Sequence, residues 1–178
     1  MASIKLTGDT SGEITISAPA VAGTNTLTLP AHTGTVMVDG PAFRAYQSTG
    51  QAVLNTTFTK IAFDTIAFDT ASCYDTVNYR FTPNVAGYYF ITGMVRFTGT
   101  TDGKVLVARI YKNGTADTAF EGSSSSSQAS TQTTALLYLN GSTDYVEFFS
   151  YHNYGATTNT GVFGTSTCTF QGFLARAA

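Results

Sequence analysis

A chain of 178 residues with 43% hydrophobic and 13% aromatic content can bury one ordinary core and carry a short appendage. Only 11% of its residues are charged, against roughly a quarter in typical domains, so Thr, Ser, Asn and Gly must keep the surface wet. The formal net charge of -2 removes the attraction on which nucleic-acid binding depends, and no segment approaches the roughly 18 apolar residues of a membrane-spanning helix.

The start, Met1-Ala2-Ser3-Ile4-Lys5, has no basic region followed by a long apolar run, so no secretory signal is expected. Residues 1–40 then alternate in short bursts, Ile4/Leu6, Ile14/Ile16, Leu27/Leu29 and Val36/Val38, each bounded by Gly, Pro, Asn or Asp. Such strands have too few apolar positions to cover themselves, because an isolated hairpin is marginal in water. Partner chains are expected to cover them, either as a trimeric β-shaft or as an arm docked onto another protein. Asp39-Gly40-Pro41 ends regular pairing, and the composition turns aromatic just after it. The expected division is a β-rich attachment region at 1–40 and a head at 41–178.

The head reads as strands near 42–48, 58–63, 66–70, 77–82, 87–98, 103–112, 132–139, 143–152 and 166–176, with no helical period. Ile61-Ala62-Phe63-Asp64-Thr65 is repeated at once as Ile66-Ala67-Phe68-Asp69-Thr70. Five is odd, so equivalent positions face opposite sides of a continuous strand unless a turn or bulge lies between them. In 87–98 one alternating set (Tyr89, Ile91, Val95, Phe97) and the other (Tyr88, Phe90, Met94) are both apolar, so this strand needs cover on both faces. Asn113-Gly114 and Asn140-Gly141 are hairpin turn pairs, and Ser123 to Ser127 reads as a mobile loop.

Phe81-Thr82-Pro83, then Ala86-Gly87-Tyr88-Tyr89-Phe90, and finally Phe170-Gln171-Gly172-Phe173-Leu174 form a pattern that resembles the C1q/tumour-necrosis-factor-like jelly roll. Ala42-Phe43-Arg44-Ala45, Ile110-Tyr111-Lys112-Asn113-Gly114 and Asn140-Gly141-Ser142-Thr143-Asp144-Tyr145-Val146 fall between them in the family's order. The resemblance implies an all-β jelly-roll sandwich, three copies around an axis, and Tyr88, Tyr89, Phe90, Phe170 and Phe173 in the core or the trimer contact. Collagen's glycine at every third position is absent upstream. Ile4 to Val38 is instead similar to the small β-repeats that precede receptor-binding heads in tailed-bacteriophage fibres.

Catalysis finds little support. The only histidines are His32 and His152, so an arrangement with a nucleophile would have to be built around His152, which also reads as an ordinary loop histidine. No nucleophile elbow, phosphate loop or zinc-protease motif occurs. Asp64, Asp69 and Asp75 are oxygen ligands of the kind calcium takes, but they fit no EF-hand spacing and equally serve turns. Cys73 and Cys168 allow one disulfide, and in a reducing cytoplasm both stay free thiols. The sequons at Asn55, Asn113 and Asn140 are expected to be idle.

Tyr151-His152-Asn153-Tyr154, running on to Asn159, mixes flat aromatic area with adaptable hydrogen-bonding groups suited to sugars or protein epitopes. Tyr151 could alternatively pack at a trimer contact, leaving a plain loop behind it. The expectation is a trimeric, non-enzymatic virion protein without a cofactor. Residues 1–40 would attach it to other virion proteins, and its head would adhere to a host-surface glycan or protein. The alternative is a capsid decoration protein or head fibre with a structural role alone.

Overall fold

Alternating apolar and polar residues broken by Gly, Asn and Pro can only make strands, and the computed structural model holds strands and no helix among its described residues. The structure describes residues 3–18, 20–21, 23–24, 26, 39–124, 128–162, 164–165 and 167–178. In chain order the strands are β1 (Ser3–Thr7), β2 (Glu13–Ser17), β3 (Ala42–Tyr46), β4 (Ala52–Val53), β5 (Thr59–Lys60), β6 (Thr65–Asp69), β7 (Tyr74–Asp75) and β8 (Arg80–Phe81). They continue as β9 (Ala86–Thr98), β10 (Val105–Lys112), β11 (Thr115–Ser123), β12 (Gln128–Asn140), β13 (Val146–His152), β14 (Thr158–Thr160) and β15 (Thr169–Ala177). Contacts divide the chain into two units, Met1–Thr35 and Val36–Ala178.

In the first unit β1 and β2 form an antiparallel hairpin in which Ile4 pairs with Ile16 and Leu6 with Ile14. Gly12, at φ +82°, supplies the turn conformation that side chains resist, and its carbonyl accepts the Gly8 N–H at 3.0 Å. The expected bursts at Leu27/Leu29 and Val36/Val38, and His32, lie outside the described residues.

The second unit is a two-sheet antiparallel sandwich, the expected all-β architecture. The larger sheet runs β12-β9-β15-β3-β6, with β14 and β4 carrying it on past the end of β15. The smaller sheet runs β11-β10-β13-β8-β7, and β5 pairs with the far end of β13. Between the sheets lies an aromatic cluster: Phe43 stacks on Phe81 at 4.3 Å, Phe170 meets Phe43 edge-on at 5.2 Å, and Phe63 contacts Phe148 at 5.7 Å. Gly93 makes room for it, since a Cβ there would sit 2.3 Å from the Phe148 ring. Cys73 and Cys168 are buried free thiols, and burial pushes both up from the ordinary thiol value.

Several expected elements are shorter, and four strands, β4, β7, β11 and β14, were not anticipated. Strand 143–152 starts only at Val146 because the Asn140 side-chain oxygen accepts the N–H groups of Ser142, Thr143 and Asp144 at 2.9–3.0 Å, closing a turn. Strand 77–82 shrinks to Arg80–Phe81 because Asp75 caps Val77 and Asn78 in the same way. The polar stretch Thr115–Ser123 is a strand, held by pairing with β10 rather than by a buried face. The expected loop at Ser123 to Ser127 begins differently: Ser123 ends β11, Ser124 is buried with its N–H on the Lys104 carbonyl at 2.9 Å, and 125–127 lie outside the described residues.

The direct repeat splits between the sheets. Its first copy leaves β5 and buries Ile61 and Phe63, with the Ile61 N–H on the Phe148 carbonyl at 2.9 Å. Its second copy is β6, paired to β3 in the other sheet, and it turns Ile66 and Phe68 outward. The two copies share no continuous strand, because irregular chain at 61–64 separates β5 from β6, and the register shift between β3 and β6 falls within the second copy.

Gly87 is extended, not left-handed. It is required by close approach, since a Cβ there would lie 2.4 Å from the Arg176 carbonyl oxygen and 2.6 Å from Leu174. Gly87→Val is expected to cost roughly 2–3 kcal/mol. Ala156→Val, at an exposed loop position, should stay within about 0.5 kcal/mol of the parent. Urea unfolding of both variants measures the difference.

Candidate functional site

The outer face of the larger sheet is graded along the strands. Cross-strand register puts Leu136, Phe90, Phe173 and Ala42 in one row, with Tyr138 and Tyr88 beside it toward the end where the chain enters the sandwich. The next row inward reads Thr134, Thr92, Gln171, Arg44, Phe68. Tyr88 and Tyr138 meet edge-on at 5.7 Å and Phe90 tilts over Phe173 at 5.6 Å, yet Leu136 remains 67% exposed, Phe173 50% and Tyr88 45%. A hollow of about 330 Å³ opens among Phe68, Phe90, Thr92, Gln171 and Phe173. Of the five residues assigned to core or trimer contact, Tyr89 and Phe170 are wholly buried between the sheets, whereas Tyr88, Phe90 and Phe173 lie on this outer face. Burial, with Cys73 nearby, pushes the Tyr89 hydroxyl up to about 12, and the hydroxyl donates to the Val85 carbonyl at 2.7 Å.

The expected aromatic loop at 151–159 is largely consumed by the fold. His152 is not a loop residue: it ends β13 facing inward and is 0% exposed. Its Nε2 lies 2.9 Å from the Val53 carbonyl, an acceptor only, so Nε2 carries the proton and Nδ1 accepts the Tyr154 N–H at 3.4 Å. Neither partner is a nucleophile or a carboxylate, which leaves the histidine nothing to activate. The Tyr154 ring, expected to be free for a ligand, stacks on His152 at 4.7 Å and meets Phe97 edge-on at 6.3 Å. Asn153 spends its side-chain oxygen on the Val105 N–H at 2.7 Å. Asn159 is exposed on β14, and Tyr151 is half-buried on the outer face of the smaller sheet.

On that face Tyr151 has company that the sequence reading missed. Phe58 lies 5.1 Å from Tyr151, the Arg109 guanidinium sits 4.2 Å over the Phe58 ring, and Tyr111 tilts against Phe149 at 4.1 Å. Register could have found them: Arg109 pairs with Phe149 and Val107 with Tyr151, so alternate residues of β10 and β13 share one side. Phe58 comes from the chain entering β5, and no local pattern announces it.

The three candidate calcium ligands serve separate turns. Asp64 accepts from the Ser48 N–H and hydroxyl at 2.8 Å each, Asp69 from the N–H groups of Ala71 and Tyr74, and Asp75 from Val77 and Asn78. Among the described residues no three His, Cys, Asp or Glu side chains group to hold a metal. Asp144 joins two turns, accepting from the Asn113 amide at 2.8 Å and pairing with Lys112 at 3.2 Å. The Asn113 hydrogen bond holds its carboxyl below the usual carboxylate range, against the opposing effect of burial and with help from Lys112. Asn78 does the same for Asp75; at Asp64 burial opposes the charge but the Ser48 and Thr65 hydrogen bonds outweigh it.

A family model described as the C1q domain matches residues 42–175. No curated protein sequence matches the chain. Among solved structures, the globular domain of zebrafish complement 1qA protein is similar over 78% of this chain and 99% of its own, at 17% identity and a TM-score of 0.56. Eiger TNF from S. frugiperda is similar over 78% and 93%, at 12% identity and a TM-score of 0.59. Murine APRIL at pH 5.0 is similar over 76% and 99%, at 10% identity and a TM-score of 0.57. At these identities the likeness shows a shared fold.

Tyr154→Ala is expected to lower stability by about 2 kcal/mol, because it opens a gap beside His152 and Phe97; calorimetry checks this. The depressed carboxyls fix the sign of the acid response. Their contribution is complete above the unfolded-state value near pH 4 and is lost as pH falls through the lower folded values. The melting midpoint should therefore drop below about pH 4. Asp144→Asn should already melt lower at neutral pH and show a shallower acid fall in a pH series of thermal melts.

Proposed function

From the premise that this chain belongs to the C1q domain family over residues 42–175, we propose that it is a homotrimeric, non-enzymatic binding head of a virion. The observation that carries the trimer is the exposed row Leu136, Phe90 and Phe173 with Tyr88 and Tyr138 beside it. Covering the exposed half of such a side chain is worth roughly 1 kcal/mol, which a monomer forgoes at every one of these positions. Three copies meeting through this face leave the smaller sheet's outer face outward, with Tyr151, Phe58, Arg109, Phe149 and Tyr111 on it. Half-buried rings beside a guanidinium suit stacking on a sugar ring or an acidic epitope. That surface is the proposed contact for a host-surface glycan or protein; Asn159, paired with Thr98 on the larger sheet, lies apart from it.

The virion assignment draws on the short N-terminal β-region and its similarity to fibre repeats. Capsid decoration is the second reading. It is favoured by the use of His152, Asn153 and Tyr154 inside the fold, which narrows the surface left for a receptor.

Light scattering on the purified protein should give three times the chain mass, and Phe90→Glu with Leu136→Glu should give monomers that still fold. Immunogold labelling of virions should mark fibre tips, and purified trimer should block adsorption to host cells unless it carries Tyr151→Ala with Arg109→Ala. Labelled capsids with adsorption unaffected by the trimer would replace adhesion by decoration, and unlabelled particles would end the virion reading.

A further inference from the structure

The hairpin β1–β2 has two chemically distinct faces. One carries Ile4, Leu6, Ile14 and Ile16, all more than half exposed; the other carries Thr15 and the ion pair of Lys5 with Glu13 at 2.7 Å. A two-stranded hairpin has no interior of its own, so this aliphatic face must be covered for the hairpin to be more than marginal. We propose that its cover is the same face of the hairpins of two further copies, which together form a small three-sided β-bundle separate from the head contact. The inference rests on the trimeric reading above.

The chemistry of the face permits copies of this chain as its cover, and the tether selects them over a foreign partner. The face is uniformly aliphatic: each cross-strand pair, Ile4 with Ile16 and Leu6 with Ile14, joins branched aliphatic groups of similar volume. No charge or hydrogen-bonding side chain lies among them, so a second copy docks without desolvating a polar group. The selecting feature is the tether. Residues 18–38 link hairpin to head and extend to at most about 70 Å. Once heads associate, three hairpins share a volume in which each meets the others at an effective concentration near millimolar. A foreign protein would have to compete against that concentration. The ion-paired face then points to water, where Lys5 and Glu13 keep it soluble.

The full-length protein tests this by hydrogen exchange and cross-linking, with the oligomer followed by light scattering. In the wild-type trimer the amides of β1 and β2 should exchange at least about tenfold more slowly than in a synthetic peptide of residues 1–20. Ile14→Asp should abolish that protection while the trimer persists. Leu6→Cys should form covalent pairs under mild oxidation, at a rate unchanged by dilution; the wild type, whose Cys73 and Cys168 are buried, should form none. A trimer with peptide-like exchange in β1 and β2, or with no Leu6→Cys pairs, overturns the hairpin bundle and leaves the head trimer standing. A monomeric wild type overturns both.

Discussion

Ala86–Thr98 is the strand on which the rest of the sandwich depends. It pairs along its whole length with β12, and its other edge is shared by β15 and β14. Strict alternation then makes two surfaces from one strand. Tyr89, Ile91, Val95 and Phe97 fill the space between the sheets, while Tyr88 and Phe90 leave it. The glycines of this strand set how near its neighbours come. Gly93 admits the Phe148 ring from the opposite sheet, and Gly87 lets the bulged end of β15 pass close by. A side chain at either would separate layers whose spacing every other contact assumes.

The same alternation explains how chemistry is partitioned over the surface. The larger sheet's outer face changes from aromatic to polar within one residue pair along the strands, from Leu136, Phe90 and Phe173 to Thr134, Thr92 and Gln171. The smaller sheet's outer face has rings too, but they are mutually stacked and paired with cations, with Lys60 on Glu147 at 2.7 Å close by. An apolar face open to its surroundings and a face already satisfied within itself suit different roles. Only the first has a large free-energy incentive to meet a copy of itself.

Strand content and the aromatic core were legible because period-2 alternation and Gly or Asn turn pairs are local signals. The two apolar faces of the strand at 87–98 could be placed from them, whereas Tyr89 and Phe170 were expected in the core or trimer contact from the family resemblance, which did not separate them from Tyr88, Phe90 and Phe173. What could not be read was long-range. His152 and Tyr154 resemble a polar aromatic loop until β4 supplies the Val53 carbonyl and β9 supplies Phe97, residues far away in the chain. β11 was invisible because its polar residues earn their place through backbone pairing with β10, which leaves no trace in hydropathy. The turn carboxylates looked like ligands because Asp64, Asp69 and Asp75 satisfy backbone N–H groups with the same oxygens a cation would take.

The tandem repeat at 61–70 means the chain carries two interchangeable candidates for one seat. Ile61 with Phe63 and Ile66 with Phe68 are the same pair of side chains in the same spacing, yet one pair is core and the other surface. Hydrophobic burial cannot tell them apart, so selection passes to groups outside the repeat. Gln51 brackets Ile61 at the start of the first copy, donating to the Lys60 carbonyl and accepting the Ala62 N–H at 2.8 Å each. A polar side chain outside the repeat thus marks which copy is held inward, where the apolar content of the two copies is the same.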